Sequence, residues 1–183
     1  MIEDDAILRL FSVAETRSEA FSLLVSAYEK KVYWVIRRMV IDHDDARDLS
    51  QEAFIRIWDH LDGFKHESNL YTWIYRIATN EALSFLRKKR RYLFIPILNV
   101  EAELDKKLST NLAPDTSEID VQFQKALLKL PEKQRLVFQL RYYDEMPYQE
   151  IAAITGTSEG ALKASYHIAF KKMEAMIKAG LNH

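Results

Sequence analysis

Hydrogen-bond donors and small residues share one face of a predicted helix near the C-terminal end of the chain. The set is Ser158, Gly160, Lys163, Ala164, His167 and Lys171. At about 100° per residue these positions fall on or beside a single side of a helix. The polar members can donate to phosphates or base edges, and the small ones let a backbone approach a groove closely. The pattern favours a nucleic-acid-binding surface over an ordinary solvent face.

The elements that would position this face form a helix-turn-helix. Pro147 opens a predicted helix over 148–155, Gly156 turns the chain, and Thr157 or Ser158 caps a helix that runs to about Lys178. Three residues stand at the offsets that such a pair of crossed helices requires: Ala152, Gly156 and Leu162. An apolar stripe is predicted to face inward along the last helix: Leu162, Tyr166, Ala169, Met173 and Met176. A preceding helix begins near Pro131.

A second group with possible chemistry lies in the N-terminal half. Arg87 to Arg91 are five consecutive basic residues at the end of a predicted helix, which suits either a phosphate contact or a solvated helix end. Upstream, Trp73 and Tyr75 fall off the main apolar stripe beside the polar loop KHESN. Exposed aromatic residues near basic ones suit stacking on unpaired bases, although most aromatic residues at helical spacing belong to a core.

A charge-patterned face precedes this loop. Asp48, Gln51, Glu52 and Arg56 share one side of a predicted helix, with Trp58 nearby as an expected exposed residue. The face is either an ordinary solvent-exposed polar surface or a protein-binding interface. His43 and Asp44 could suggest a metal site, but no second histidine has ligand spacing, and capping or solvated charge is the favoured role.

Three helices account for the N-terminal half. The first has its apolar stripe from Phe21 to Met39 and Ser18 as the predicted N-cap, and the second has Asp44 as the predicted cap and ends near Gly63. The third runs through 69–91. With four glycines and four prolines in 183 residues, the composition offers little turn chemistry for a sheet, so the sequence predicts an all-α fold.

The composition also excludes several classes of protein. The chain has no cysteine, which rules out disulfide scaffolds, thiolate nucleophiles and cysteine zinc sites and fits a reducing compartment. It contains no apolar run of membrane-spanning length, and the acidic start MIEDDAILRLF is not a signal peptide. We expect a cytoplasmic protein without catalytic residues, metal or cofactor, and without a small-molecule substrate.

Charge is distributed unevenly along the chain. The net charges are -3 over residues 1–20, +3 over 21–95, -3 over 96–119 and +2 over 120–183, which sum to the formal charge of -1. The acidic segment 96–119 contains Pro96 and Pro114 and is long for a loop inside one domain. We therefore predict two small helical domains, 1–95 and 120–183, joined by a flexible linker over 96–119. A net +2 gives few phosphate contacts, so the second domain would need another protein to hold it on DNA.

These motifs together resemble the extracytoplasmic-function (ECF) group of bacterial RNA polymerase sigma factors in the sigma-70 family. Residues 48–64, DLSQEAFIRIWDHLDGF, are similar to the polymerase-binding helix of that family. Residues 67–91, ESNLYTWIYRIATNEALSFLRKKRR, are similar to its segment for melting and reading the minus-ten element. Residues 130–173 are similar to its minus-thirty-five recognition domain.

The resemblance implies a role for each matching position. The helix that would dock on the clamp of the polymerase largest subunit carries Asp48, Gln51, Glu52, Phe54 and Trp58. The minus-ten set comprises Lys65, His66, Glu67, Ser68, Asn69, Trp73, Arg76, Asn80, Arg87, Lys88, Arg90 and Arg91. The minus-thirty-five set comprises Ser158, Glu159, Gly160, Lys163, Ala164, His167 and Lys171. The acidic linker would thread through the polymerase toward the RNA exit path.

Partners follow from the same resemblance. It implies core RNA polymerase, promoter DNA and an anti-sigma protein, which in this family is often membrane-anchored. Many members carry several arginines after the turn, whereas GALKAS here offers only Lys163 before His167. We therefore expect DNA shape to carry part of the specificity. Two alternatives stay open: a stand-alone helix-turn-helix regulator with an N-terminal sensor, and a metal-dependent hydrolase using His43 and Asp44.

Overall fold

The structure is a computed structural model that describes residues 4–92 and 117–181, without the side chains of residues 90–92, 118 and 181. Its α-helices are α1 (Asp4–Phe11), α2 (Arg17–Val40), α3 (His43–His60), α4 (Leu70–Tyr92), α5 (Glu118–Leu128), α6 (Glu132–Tyr142), α7 (Tyr148–Thr155) and α8 (Glu159–Leu181). A 3₁₀ turn over Leu61–Gly63 follows α3. Within the described ranges there is no strand, so the predicted all-α fold is confirmed. None of the helices in these ranges combines the length and apolarity needed to cross a bilayer.

The N-terminal unit is built around α2, which packs against α1, α3 and α4. The predicted stripe of α2 is buried at Leu24, Tyr28, Val32, Val35, Ile36 and Met39. Spacings of three and four residues place these side chains along one side of the helix, where burial of apolar surface stabilises the bundle. The described helices of this unit belong to one continuous apolar core.

Two predicted N-caps in this unit are wrong. Thr16, not Ser18, precedes the first residue of α2, and Ser18 lies inside the first turn. Asp42, not Asp44, caps α3: its Oδ1 accepts hydrogen bonds from the backbone N–H groups of Asp44 and Asp45 at 3.1 Å. Asp42 has the extended backbone that an N-cap needs, and Ile41 before it ends α2 with a positive φ of 69°.

Two helices were absent from the sequence prediction. Helix α1 buries Ile7 and Phe11 against the bundle. Helix α5 begins at Glu118, where the side chain of Ser117 accepts a hydrogen bond from the Asp120 N–H at 3.2 Å. It therefore starts just inside the segment 96–119 that we predicted as a linker. Residues 96–116 of that segment lie outside the described residues.

The C-terminal unit contains the predicted helix-turn-helix. Pro147 precedes α7, and Gly156 ends it in the left-handed conformation with φ of 67°. The Gly156 N–H donates to the Ala152 carbonyl at 2.9 Å, which satisfies a free C-terminal carbonyl of the helix. Leu162, Ala169 and Met173 are buried, as the stripe of α8 predicted. Helix α8 packs against α5, α6 and α7, and this contact fixes the direction of its exposed face.

The two units pack against each other. Helix α6 contacts α2, and α7 contacts α4. The apolar core of the N-terminal unit is continuous with Met146, Ile151 and Ile154 of the C-terminal unit. In the described part of the chain the two units therefore form one packed body. No prediction of their relative arrangement followed from the sequence.

Candidate protein and nucleic-acid interfaces

The predicted minus-thirty-five face is accessible along the first half of α8. All seven predicted residues are exposed: Ser158, Glu159, Gly160, Lys163, Ala164, His167 and Lys171. The Ser158 hydroxyl accepts a hydrogen bond from the Ala161 N–H at 3.4 Å, so Ser158 rather than Thr157 provides the cap. The N-terminus of α8, which carries a partial positive charge, therefore lies at this surface. Such a helix end can bind a phosphate group.

The charge on this face is nevertheless small. Lys163 lies 3.8 Å from Glu159 one helical turn earlier, and both side chains are about half exposed. Such a pair contributes little to stability in water, but it partly neutralises the first lysine of the face. Lys163 also lies 5.7 Å from the centre of the Tyr148 ring. The shape of this face suits contact with a DNA groove, but its small positive charge can contribute little to the affinity for DNA.

The predicted minus-ten loop connects the 3₁₀ turn to α4. Lys65, His66 and Glu67 are exposed, and His66 has a left-handed φ of 56°. The Asn69 side chain accepts a hydrogen bond from the Thr72 N–H at 2.7 Å, so it caps α4 as well as lying on the loop. Aromatic contacts order the loop: Phe64 lies 4.7 Å from His66 and 5.5 Å from Trp73, measured between ring centres.

A cavity of about 500 Å³ adjoins the start of α4. It is lined by three predicted residues, Trp73, Arg76 and Asn80, together with Asp59, His60, Gly63 and Ile77. The prediction missed Asp59 and His60, because their role depends on how the end of α3 folds over α4. The cavity combines an aromatic ring, a cation and amide and carboxylate groups. This is the chemistry that stacks on an extruded base and bonds its edge.

A second cavity, of about 440 Å³, lies on the α1 side of the loop. Its lining includes His66, Ser68 and Asn69 from the predicted set and Asp4 and Asp5 from α1. The Asp4 carboxylate accepts hydrogen bonds from the Tyr28 hydroxyl at 2.8 and 2.9 Å. Burial, this bond and the Asp4 charge all raise the pKa of Tyr28, so its hydroxyl stays a donor. The bond ties α1 to α2 beside the loop.

The aromatic pair on α4 divides between core and surface. Tyr75, which we expected off the apolar stripe, is buried, and its ring centre lies 4.3 Å from that of Tyr71. Burial raises the pKa of Tyr75 well above its ordinary value. The stacking interpretation is thus wrong for Tyr75, since the packing of α7 against α4 widens the buried face. Trp73 is half-buried and keeps access to the cavity.

The basic end of α4 is only partly engaged within the protein. Lys89 pairs with Asp45 at 3.0 Å, which fixes the end of α4 against the start of α3. Arg87 donates to the Leu83 carbonyl and the Ser84 hydroxyl, each at 3.2 Å, but remains exposed, as does Lys88. The side chains of Arg90 and Arg91 lie outside the described residues.

The predicted protein-binding face of α3 is present, with one correction. Asp48, Gln51 and Glu52 are exposed and Phe54 is half-buried. Trp58 is not the exposed residue that we expected: its ring packs edge-on against Phe11 and Phe21, with centre separations of 5.4 and 5.0 Å. Helix α1 supplies part of this contact, and it was missing from the prediction.

Beside this face lies an apolar groove between α2 and α3, which is the candidate protein contact now that Trp58 is seen to be packed. Its volume is about 520 Å³, and Gln51 and Phe54 line it opposite Tyr33 and Trp34. Trp34 is 55% exposed and Ile55 is 61% exposed. Exposed tryptophan beside an apolar groove is typical of a protein-binding surface. The sequence signal was present, because Trp34 stands outside the apolar stripe of α2.

His43 and Asp44 do not form a metal site in the described structure. The Tyr33 hydroxyl and His43 Nδ1 are 2.8 Å apart, so the imidazole has a hydrogen-bonding partner. No group of three or more histidine and acidic side chains with suitable geometry occurs in the ranges that the structure covers.

Two family models match the chain in order. The first is Sigma-70 region 2, over residues 24–92. The second is Sigma-70, region 4, over residues 120–173. The gap between them corresponds to the acidic segment.

Individual relatives cover most of the chain. ECF RNA polymerase sigma factor SigW of Bacillus subtilis is 32% identical over 87% of this chain and 89% of its own length. RNA polymerase sigma-H factor of Pseudomonas aeruginosa is 33% identical over 87% of this chain and 86% of its own length. ECF RNA polymerase sigma-E factor of Escherichia coli is 34% identical over 80% of each chain.

Solved structures share the fold. CnrH, in complex with the cytosolic domain of CnrY, is 25% identical and matches with a TM-score of 0.67 over 97% of this chain and 99% of CnrH. The sigma factor RpoE of Bartonella quintana, in complex with the anti-sigma factor NepR, has the same TM-score. The match covers 86% of this chain and 96% of RpoE. At 24% identity the second likeness concerns the fold alone.

Proposed function

This chain belongs to the ECF group of sigma-70 factors, and from that premise we propose how its surfaces divide the work of directing core RNA polymerase to promoters. The single observation that carries the proposal is the ordered match to Sigma-70 regions 2 and 4 over one chain. The unit over 1–95 binds polymerase and reads and melts the minus-ten element. The unit over 120–183 reads the minus-thirty-five element, and 96–119 links the two.

Polymerase binding is assigned to the α2–α3 groove and its rim. Asp48, Gln51, Glu52 and Phe54 are the residues that the family resemblance supplies. Trp34 is added because its exposed ring and the apolar groove offer the large contact area of an interface anchor. Trp58 supports this face from behind through its contacts with Phe11 and Phe21.

Melted minus-ten DNA is assigned to the loop over 65–69 and the cavity beside α4. Trp73 would stack on an extruded base, while Arg76 and Asn80 would bond the backbone or the base edge. Exposed Arg87 and Lys88, followed in the sequence by Arg90 and Arg91, would hold the adjoining phosphates. Unpaired bases offer a stacking surface whatever their sequence, so edge contacts from the loop would provide the discrimination.

Affinity for the minus-thirty-five element has to come from the assembly. The α8 face offers few cations, one of which is already beside Glu159. Sequence-independent affinity grows with the number of neutralised phosphates. Polymerase, held through the first unit, would keep the α8 face at high local concentration over the groove. The weak charge of the chain is thus compatible with a DNA reader that acts only within a larger complex.

Regulation and location follow from the relatives. An anti-sigma protein is proposed as a partner, since the family resemblance implies one and CnrH, at 25% identity, is in complex with the cytosolic domain of CnrY. A cytoplasmic location is proposed because polymerase and promoter DNA are there. The chain itself is proposed to catalyse no reaction, with phosphodiester chemistry left to polymerase.

Run-off transcription tests the proposal. Core polymerase with this protein should produce discrete transcripts from a subset of genomic fragments, and core polymerase alone should not. A stand-alone regulator would instead shift specific fragments in gels without polymerase. That alternative is not favoured, because the segment that would have to be its sensor domain matches Sigma-70 region 2.

A further inference from the structure

The cavity beside Trp73 has a wall made by the last turn of α3, which the sequence did not predict. Asp59 and His60 line this wall, and Arg76 and Asn80 of α4 line the same cavity. The cavity volume is about 500 Å³. Pockets for small organic groups have volumes of roughly 300–1,000 Å³, so the cavity can hold one nucleic-acid base.

Buried residues on α3 and the turn that follows fix this wall. Ile57 and Leu61 are 0% and 3% exposed and hold the end of α3 against the core. Asp59 and His60 lie between these two anchors and are both exposed. The end of the helix therefore presents a carboxylate and an imidazole from a rigid element, as a site that reads the edge of a ligand requires.

The polar side chains of the cavity are available to a ligand. Among the residues that the structure describes, four cavity side chains have no hydrogen-bonding or ion-pair partner: Asp59, His60, Arg76 and Asn80. Asp62, three residues further along, differs, because its carboxylate lies 2.5 Å from Nη2 of Arg17. The carboxylate of Asp59 thus keeps its full capacity to accept a hydrogen bond.

The charge of the cavity favours a base over a phosphate. One carboxylate, on Asp59, and one guanidinium, on Arg76, line the same space. A phosphate group would be repelled by the carboxylate, whereas an uncharged base can bond both groups. Phosphates are better accommodated at the exposed cations Arg87 and Lys88.

A carboxylate also distinguishes among the bases. When ionised it can only accept hydrogen bonds, and a guanidinium can only donate them. Adenine, cytosine and guanine each carry an exocyclic amino group, which donates, whereas thymine carries none. A thymine carbonyl in the place of that amino group would face the Asp59 carboxylate with no proton between the two oxygens.

We propose that Asp59 is a specificity-determining residue for the minus-ten element. Its carboxylate accepts a hydrogen bond from the exocyclic amino group of the base that enters the cavity, so thymine is disfavoured there. The inference rests on the proposed function, which brings melted minus-ten DNA to this cavity, and it adds edge recognition from α3 to stacking on Trp73. A site built to bond a polar group rejects an analogue without that group, because its own partner is left unpaired.

The test first locates the base that occupies the cavity. Holoenzyme is assembled from core polymerase and the full-length chain, and fluorescence anisotropy measures its affinity for a labelled single-stranded minus-ten oligonucleotide. An abasic site is introduced at each position in turn. The position whose abasic form weakens binding by the unsubstituted holoenzyme but not by the Trp73→Ala holoenzyme is the cavity position.

Analogues that lack only the amino group then test Asp59 at that position. Purine replaces adenine, and the pyrimidinone without an amino group replaces cytosine. Removing the amino group should weaken binding by the unsubstituted holoenzyme about tenfold, because the lost hydrogen bond has a charged acceptor. In Asp59→Ala the analogue and the parent base should bind within about twofold of each other, since the acceptor is gone.

Two further variants separate this role from charge and from folding. Asp44→Ala removes the same charge from an exposed position at the other end of α3 and should keep the tenfold preference. Asp59→Asn keeps the shape of the side chain but adds an amide donor, so it should bind thymine at the cavity position more tightly than the unsubstituted chain does. Thermal unfolding shows that each variant is folded.

Two results would overturn the role of Asp59. One is an amino-group preference that is the same in folded Asp59→Ala and in the unsubstituted holoenzyme. The other is binding of thymine at the cavity position as tight as that of adenine and cytosine. If Trp73→Ala changes the response to no abasic site, the proposed use of the cavity fails as well. If Trp73→Ala identifies a position but Asp59→Ala alters nothing there, the base pocket stands and the inference about Asp59 alone fails.

Discussion

Arg56 on α3 forms an ion pair with Glu81 on α4, with Nε and Oε1 2.6 Å apart. The arginine side chain is 56% exposed, whereas that of Glu81 is only 12% exposed. The pair joins the helix that carries the proposed polymerase contacts to the helix that carries Trp73. We infer that it helps to fix the angle between the two binding surfaces.

Reversing Arg56 should destabilise the N-terminal unit modestly. Arg56→Glu places a second carboxylate beside Glu81, and we expect a loss of about 1 kcal/mol in the free energy of unfolding, because solvent screens the exposed partner. Urea denaturation measures the loss. The double variant Arg56→Glu with Glu81→Arg should recover most of it, and no recovery would mean that the pair contributes nothing.

Trp34 and Trp58 should behave differently when truncated. Trp34→Ala should weaken core-polymerase binding about tenfold or more while changing stability by less than about 0.5 kcal/mol, because the side chain is exposed. Trp58→Ala should instead lower stability by about 3 kcal/mol, since it empties space against Phe11 and Phe21. Pull-down affinity and urea denaturation separate the two effects. Unchanged polymerase affinity in Trp34→Ala would remove that residue from the interface.

Trp73→Ala should impair recognition of melted DNA. Loss of a base-stacking ring costs about 1–3 kcal/mol, so holoenzyme affinity for a single-stranded minus-ten oligonucleotide should fall by about tenfold. Fluorescence anisotropy with labelled oligonucleotide measures it. His167→Ala, on the other unit, serves as the control and should leave this affinity unchanged. Equal binding by Trp73→Ala and the unsubstituted holoenzyme would argue against a base pocket beside α4.

Gly156 and Gly160 provide a matched pair in the helix-turn-helix. A Cβ would meet nothing within 4 Å at either position, but only Gly156 has positive φ, at 67°. Gly156→Ala should therefore lower stability by about 1–2 kcal/mol through backbone strain. Gly160→Ala, inside α8, should be neutral or stabilising by up to about 1 kcal/mol. Thermal unfolding compares them, and equal effects would contradict the assignment of the turn.

The helix-turn-helix was predictable from sequence because its signals are local. Pro147, Gly156 and the stripe that includes Leu162 determine where the helices begin, turn and face, whatever surrounds them. Asp42 was not identified as the cap of α3, since the positive φ of Ile41, which ends α2 just before it, has no sequence signature. Helix α1 was missed because it is only eight residues long, which leaves about two turns for an apolar pattern to repeat.

Site residues that belong to the family motifs could be predicted from the sequence. Residues whose exposure or neighbours depend on tertiary packing could not. Trp58 looked like a surface anchor because α1, which covers it, was missing from the prediction. Asp59 and His60 reach the cavity beside Trp73 only through the meeting of α3 and α4. Arg135 and Gln139 are polar residues at buried positions of α6. Both donate to carbonyls at the end of α2, and Arg135 also donates to the Leu128 carbonyl at 3.5 Å.

Binding of a promoter fragment, selected by run-off transcription, tests the central claim most directly. Fluorescence anisotropy near physiological salt should show no sequence-specific binding by the free protein and a specific complex when core polymerase is added. Scrambling the minus-thirty-five element should weaken that complex. Specific, saturable binding of the free protein to the same fragment would contradict the account, as would failure of polymerase to confer it.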